Sequence, residues 1–421
     1  MTRILKRYFR LQRFIFSGLG LDIAATPEKM VKRPWLMMTP LVMSILLCIA
    51  NGHYVLDNAS DYLEATDSLT LLCQSLISVW KVIMVIWKRK EFANMIARIE
   101  RLNVKAEGEE LKIVRRENTR DIIFSTTYFV LVLLTGAWSL LVPIYFAVHV
   151  YVTTGEVDLP VPHKATYFWN HEHVKGYSLV YIWDVFIIYF IACSAVSTES
   201  MFSWLVCNII AQFRILMHRL EVASRQVMST RPMTASHHVD DDDDNPLMGE
   251  LDPQAGMVDA IIACVKFHRR TLRLTQELNS LYGAIIFVKF IVSGTQICCL
   301  AFHLVRGNNS LFNVAYLCMF LSAAALQLIL YCYNGQRLKD ESLLVTTKIY
   351  SIFPWSKMPV STQRMLLIPM IRAQQFSELR GVFFTVDLSL YLWVSWSLRT
   401  GRIFMVIAMA FAYFVNIFKN T

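Results

Sequence analysis

The sequence predicts an all-α membrane protein of seven transmembrane helices, with its N-terminus in the cytoplasm, its C-terminus extracellular and one extra cytoplasmic helix before the last span. Three observations predict it. Hydrophobic residues fill 55% of the 421 positions and charged residues only 17%, where a soluble chain usually carries about a quarter charged residues. Seven apolar runs are long enough to cross a bilayer. The cations between those runs fall almost entirely on one side. Mean hydropathy is +0.42, so membrane lipid is the expected surrounding.

The first 33 residues are basic and amphipathic, opening Met1-Thr2-Arg3-Ile4-Leu5-Lys6-Arg7. No apolar segment with a small-residue cleavage site follows directly, so the first span is expected to direct its own insertion. A helix rising 1.5 Å per residue needs roughly 20 apolar residues to cross the hydrocarbon. Runs of that kind cover 35–53, 67–87, 122–150, 179–208, 282–304, 312–333 and 389–411. An eighth, 359–375, is broken by Arg364, Pro369 and Arg372. It is too short and too charged to span, and is expected to pack as a helix in the cytoplasm.

Orientation follows from positive charge, because Lys and Arg flanking spans stay cytoplasmic. Of 41 such residues, 33 lie before the first span or in the second-to-third, fourth-to-fifth and sixth-to-seventh connections. The first loop on the other side holds Asp57, Asp61 and Glu64 and no cation. Glycan acceptors are modified only on the external or luminal face. The two sequons, at Asn58 and Asn308, both fall in loops placed there by the charges. A G-protein-coupled receptor has the opposite orientation. The whole chain is expected to form one seven-helix domain: 1–33 cytoplasmic, 34–336 carrying spans one to six, 337–386 a cytoplasmic region and 387–411 the last span.

Several features are expected to be structural or solvated. The nine cysteines lie mostly inside apolar runs and do not suggest a secreted disulfide framework. The acidic run Asp240 to Asp244 sits in a polar stretch, 229–256, expected to be a flexible cytoplasmic loop. His163, His171 and His173 cluster in the second external loop without a cysteine or a fourth ligand, so a solvated loop is expected and no metal. Lys81 is expected to snorkel towards the cytoplasmic interface, Lys289 to meet a headgroup or an acid such as Glu199. No phosphate loop, nucleophile elbow, thiol motif or dinucleotide fingerprint is present. No enzyme, cofactor or nucleic-acid role has support.

The most specific pattern lies after the sixth span: Tyr331-Cys332-Tyr333-Asn334-Gly335-Gln336-Arg337-Leu338, then Glu341-Ser342, Ile349-Tyr350 and Trp355. Arg372-Ala373-Gln374 and Gly381-Val382-Phe383-Phe384 follow. This order resembles that of insect odorant receptors, with looser agreement upstream through Ser17-Gly18-Leu19-Gly20, Val79-Trp80-Lys81 and Ala211-Gln212-Phe213. The resemblance implies an odour-tuned subunit of a cation channel, a heterotetramer formed with a shared co-receptor in the plasma membrane of an olfactory dendrite. It implies that 337–386 forms an anchor at the central axis and that the last span lines the pore. Val406 takes the gate position and Met409 the neighbouring pore-lining position. The chain departs from the family at Gly401 and Arg402, where a small or polar residue and a tyrosine are usual.

The resemblance also implies an odorant pocket among the external halves of spans two, three, four and six. A site for small, mostly neutral volatiles is walled by aromatic and aliphatic groups, and residues three or four apart share a helix face. The stripes so selected supply Leu72 and Leu76; Trp138 and Tyr145, with Thr135 as a polar neighbour; Phe186 and Tyr189; and Tyr316 and Met319. Trp138 and Tyr189 are the foremost candidates. A gustatory-type receptor channel and a solute carrier are the alternatives. The first is disfavoured because Thr400-Gly401 lacks the expected tyrosine, the second because no repeated halves are visible.

Overall fold

In a computed structural model the chain is described at residues 34–155, 160–167, 169, 173–229, 253–307, 310–375 and 377–399. Val406, Met409, Gly401, Arg402, Asn308, His171 and the aspartate run lie outside these residues. Nine helices follow one another among the described residues: α1 Pro34–Asp57, α2 Tyr62–Trp87, α3 Arg89–Val104, α4 Gly108–Thr154, α5 Val174–Ser229, α6 Pro253–Arg306, α7 Leu311–Ile352, α8 Val360–Gln374 and α9 Leu388–Arg399. Among the described residues there is no strand, only an isolated bridge between Arg380 and Thr385.

Within the described residues five helices, α2, α4, α5, α6 and α7, contain segments long and apolar enough to cross a membrane. With α1, whose apolar segment 41–57 is shorter, and α9, which opens the last span, they form the seven-helix membrane fold. The expected eighth stretch is the separate helix α8. Four helices run far past their apolar cores: α4 has 47 residues, α5 56, α6 54 and α7 42. What hydropathy marks as connection is therefore continuous helix. The amphipathic stretches next to the spans keep the helical period and bury their apolar faces on one another.

Local signals set several ends. The Asp61 carboxylate accepts from the backbone N–H of Leu63 and Glu64 at 3.0 and 3.4 Å and starts α2. Ser310 does the same for α7 through Asn313 at 3.3 Å. Gly155, at φ 72°, supplies the left-handed residue that closes α4.

The densest packing lies at the basic end of the bundle. Phe202, Trp204, Phe213, Tyr282, Tyr331 and Leu338 are fully buried there, with α3 packed beside them. Glu117, also fully buried, holds the long helices together: it pairs with Arg214 of α5 at 2.5 Å, with Arg120 at 3.0 Å and with Arg337 of α7. Burying that carboxylate is tolerable because three guanidinium groups converge on it. The segment between α8 and α9 is fastened by Asn279 Nδ2 donating to Glu378 O at 2.8 Å and Ser377 N–H donating to Ser342 Oγ at 2.9 Å. Gly335 faces Val386 so closely that a Cβ would collide with the Val386 carbonyl, which gives the Asn334-Gly335 motif a packing reason.

Two expectations are corrected. Lys81 does not snorkel: it is 1% exposed and its Nζ lies 2.5 Å from Glu199 Oε1. An acid from α5 compensates the charge in place, so the side chain has no need of the headgroup region. His163 is not a freely solvated loop residue: it is half-buried and belongs to the walls of two cavities. His173 is exposed. All nine cysteines are free thiols.

Candidate odorant site

Towards the other end of the bundle the packing thins. The local buried cluster is small, centred on Tyr128 and Val196, and the helices α2, α4, α5 and α7 stand apart around two adjoining cavities. The inner one, of about 110 Å³, is walled by aliphatic side chains of α5 (Ile187, Ile188, Ile191) and by Val132 of α4 and Phe320 of α7. Its polar groups are few: Gln74, Tyr128, Thr135, Ser139, His163, Tyr316 and Gln327. The outer one, of about 200 Å³, is more polar and lies under the loop Val161 to Lys164, against Asp67, Trp138, Phe146 and Phe312. Leu71, Ser139, His163 and Tyr316 belong to both and form the partition.

Each wall has a local cause. Residues 316, 320, 323, 324 and 327 repeat at helical spacing along α7, and 128, 132, 135, 136 and 139 do so along α4. Gly136 permits α4 to approach α5, since a Cβ there would lie 2.9 Å from the Ile188 side chain. Ala192 and Ala195 leave the space that the cavity occupies. Thr135 and Ser139 spend their hydroxyl protons on Leu131 O and Gly136 O, each at 2.8 Å. The loop is tied down by Ser68 Oγ donating to Lys164 O and by Lys164 Nζ to Glu64 Oε1 at 2.7 Å. Burial lowers the pKa of His163 to about 4, so its imidazole is neutral where it meets the cavities.

The cavity floor is a polar network. Glu199 of α5 accepts from Lys81 of α2 and from Gln327 and Tyr331 of α7, and Lys289 of α6 lies 3.8 Å away. Gln327 also accepts from Lys289 and donates to Tyr128 OH at 2.7 Å. Five helices meet here, directly beneath apolar walls.

Of the residues selected from sequence, Thr135 and Tyr316 line the inner cavity, and Trp138 and Tyr316 the outer one. Trp138 Nε1 donates to Phe312 O at 3.1 Å, across α4 and α7. Leu72, Leu76, Tyr145, Phe186, Tyr189 and Met319 line neither cavity. Tyr189 is 49% exposed and Phe186 50%. Tyr145 stacks on Phe312, 5.6 Å between ring centroids. On α5 the face turned inward is the adjoining one, with Ile187, Ile191 and Ala195. Small residues and isolated polar groups in apolar helices were the available signal. No group of residues suited to a metal occurs among the described residues. Asn58 caps the turn after α1, its Nδ2 donating to Tyr54 O at 3.0 Å.

A helical bundle whose long helices run on past their apolar cores, with a packed extra helix before its last span and a small apolar chamber, defines a multi-pass membrane protein. The family model described as 7tm Odorant receptor matches residues 61–396, and the chain belongs to that family. Odorant receptor 45a of Drosophila melanogaster is 28% identical over 412 residues, 96% of this chain and 98% of the relative. Odorant receptor 47a of the same species is 24% identical, covering 96% and 99%. The fold matches the insect olfactory receptor OR5 from Machilis hrabei in complex with eugenol, with a TM-score of 0.75 at 16% identity over 96% of this chain and 98% of that one.

Proposed function

We propose that this chain is the odour-tuned subunit of a ligand-gated, non-selective cation channel formed with the shared odorant receptor co-receptor. A volatile enters through the outer cavity and binds in the inner one. The observation that carries this reading is a predominantly apolar chamber with few polar groups, the surface a small neutral volatile requires. Membership of the odorant receptor family supports it, as does likeness in fold to a receptor determined with eugenol. The chain sits in the plasma membrane with its N-terminus and the basic helix extensions in the cytoplasm, in keeping with the distribution of Lys and Arg.

Residues 337–386 form the anchor between subunits. Residues 387–411 contribute one wall of a mixed pore, with Val406 at the gate and Met409 beside it. Thr135 and Tyr316 contact ligand in the inner cavity and Trp138 meets it at the entrance, in the outer one, while Leu72, Leu76, Tyr145, Phe186, Tyr189 and Met319 form a second layer or an outer face. Binding gates the pore only if the open state holds ligand more tightly than the closed one. The test is co-expression with the co-receptor and application of a volatile panel to excised patches without nucleotide. Rapid cation current that needs both subunits is expected; current that needs a G protein and not the co-receptor overturns the reading.

A further inference from the structure

We infer that Tyr128 is the polar recognition residue of the inner cavity, and that it selects ligands carrying a hydrogen-bond acceptor, such as ketones and esters, over hydrocarbons of the same shape. The inference rests on the reading of the inner cavity as the ligand site and deepens it.

The argument turns on the direction of each hydrogen bond around Gln327. Lys289 Nζ is a donor, so the Gln327 atom that meets it is the carbonyl oxygen. Glu199 is an acceptor, so it meets the amide nitrogen, Nε2. Both neighbours therefore fix the same amide orientation. The same Nε2 reaches Tyr128 OH at 2.7 Å and donates to it. Tyr128 is consequently an acceptor in the network, and its own proton is directed elsewhere.

Tyr128 lines the inner cavity and is only 4% exposed. Its phenolic proton has no protein acceptor among the described residues, so within the cavity only a water or a ligand can accept it. A donor in that setting costs free energy until something accepts from it. The two other hydroxyls on the same helix face, Thr135 and Ser139, already donate to their own helix. Accepting a bond from an amide that is itself held by Lys289 and Glu199 polarises the Tyr128 hydroxyl and strengthens it as a donor. The cavity also has a direction. Tyr316 and Gln327 are eleven positions apart on α7, about 16 Å along the axis, so a ligand lies with its oxygen at Tyr128 and its apolar tail towards Ile187, Val132 and Phe320.

A site built to donate a hydrogen bond rejects the analogue that cannot accept one, because the donor is then left unpaired. Matched pairs isolate this: straight-chain methyl ketones against the 2-methyl-1-alkenes that replace C=O by C=CH2. The purified chain is assayed for ligand-induced thermal stabilisation in detergent, and in parallel the co-expressed channel is assayed for current. The expected result is a preference of about tenfold for the ketones, removed by Tyr128→Phe through loss of ketone affinity with alkene affinity unchanged or improved. Fluorinated tyrosine at position 128, a stronger donor of the same shape, increases the preference and serves if Tyr128→Phe folds poorly. Equal binding of ketones and alkenes by the unaltered chain, or a preference that survives Tyr128→Phe, overturns the inference. So does the absence of stabilisation by every ketone. Ketone-selective stabilisation without current leaves the inference standing and counts against the channel reading alone.

Discussion

Lys81 on α2 and Glu199 on α5 form an ion pair at 2.5 Å with side chains 1% and 0% exposed, between two helices apolar enough to cross a bilayer. Gln327, Tyr331 and Lys289 complete its surroundings. Removing one member of such a pair leaves the other charged and buried, at a cost of roughly 3 to 5 kcal/mol. Glu199→Gln strands two ammonium groups and is expected to lower the unfolding temperature sharply and deplete the surface population. Lys81→Met combined with Glu199→Gln should be less damaging than the sum of the single changes, measured as a double-mutant cycle on the purified protein. Additive losses would show that the two side chains do not interact.

Trp138 and Tyr189 separate the two views of the pocket. Trp138 lines the outer cavity and bridges α4 to α7, while Tyr189 lies half exposed on α5. Trp138→Ala should shift the odorant dose response by about tenfold or more while activation through the co-receptor's own ligands is retained. Tyr189→Ala should leave the dose response within about twofold. A reversed pattern would move the site to the other face of α5.

His163 gives the loop over the cavities a pH dependence. Its folded-state pKa, lowered to about 4 by burial, is below the ordinary value of 6.5, so the unfolded or opened loop binds the proton more readily. Stability contributed by the neutral ring is complete above about pH 6.5 and declines as pH falls towards 4. The ring keeps some exposure, so the effect is on the order of 1 kcal/mol. Thermal midpoints recorded from pH 7 to pH 4.5 should fall more for the unaltered chain than for His163→Gln. Parallel curves would remove His163 from the account.

Gly335→Ala places a methyl group against the Val386 carbonyl, a contact with backbone that a rotamer change cannot relieve. The segment 379–386 must then move away from α7. The variant is expected to fold its outer half and still bind ligand, and, with 337–386 as the proposed anchor, to lose the proposed assembly with the co-receptor, measured by co-purification. Normal assembly would mean that this close approach is dispensable.

Asn58→Gln tests orientation. If the turn after α1 is external, the variant migrates faster on a gel and loses part of its sensitivity to glycosidase, and Asn308→Gln removes the remainder. No mobility change in either variant would withdraw support from the charge-based orientation.

The number of membrane helices and the basic end were legible because hydropathy and cation placement are local properties of sequence. The existence of α8 was legible for the same reason, its apolar run being interrupted by Arg364, Pro369 and Arg372. Which face of each outer half-helix turns inward was not. In lipid both the packed and the exposed face are apolar, so hydropathy no longer distinguishes them, and the aromatic stripe through Phe186 and Tyr189 is as apolar as the inward face of Ile187 and Ile191. Lys81 and Glu199 were each conspicuous in sequence, but they stand 118 positions apart, and their meeting depends on how α2 docks against α5. Tyr128 and Gln327 were visible as polar residues within spans without any local sign that they touch.

The length of α5 has a mechanical consequence. Its cavity-lining residues, 187 to 195, lie about 50 Å along the axis from its end at Ser229. A rigid rod tilted by about 3° at the chamber carries its far tip sideways by about 2.5 Å. A small adjustment at the chamber is thus amplified, by leverage alone, into a displacement of side-chain size at the far end.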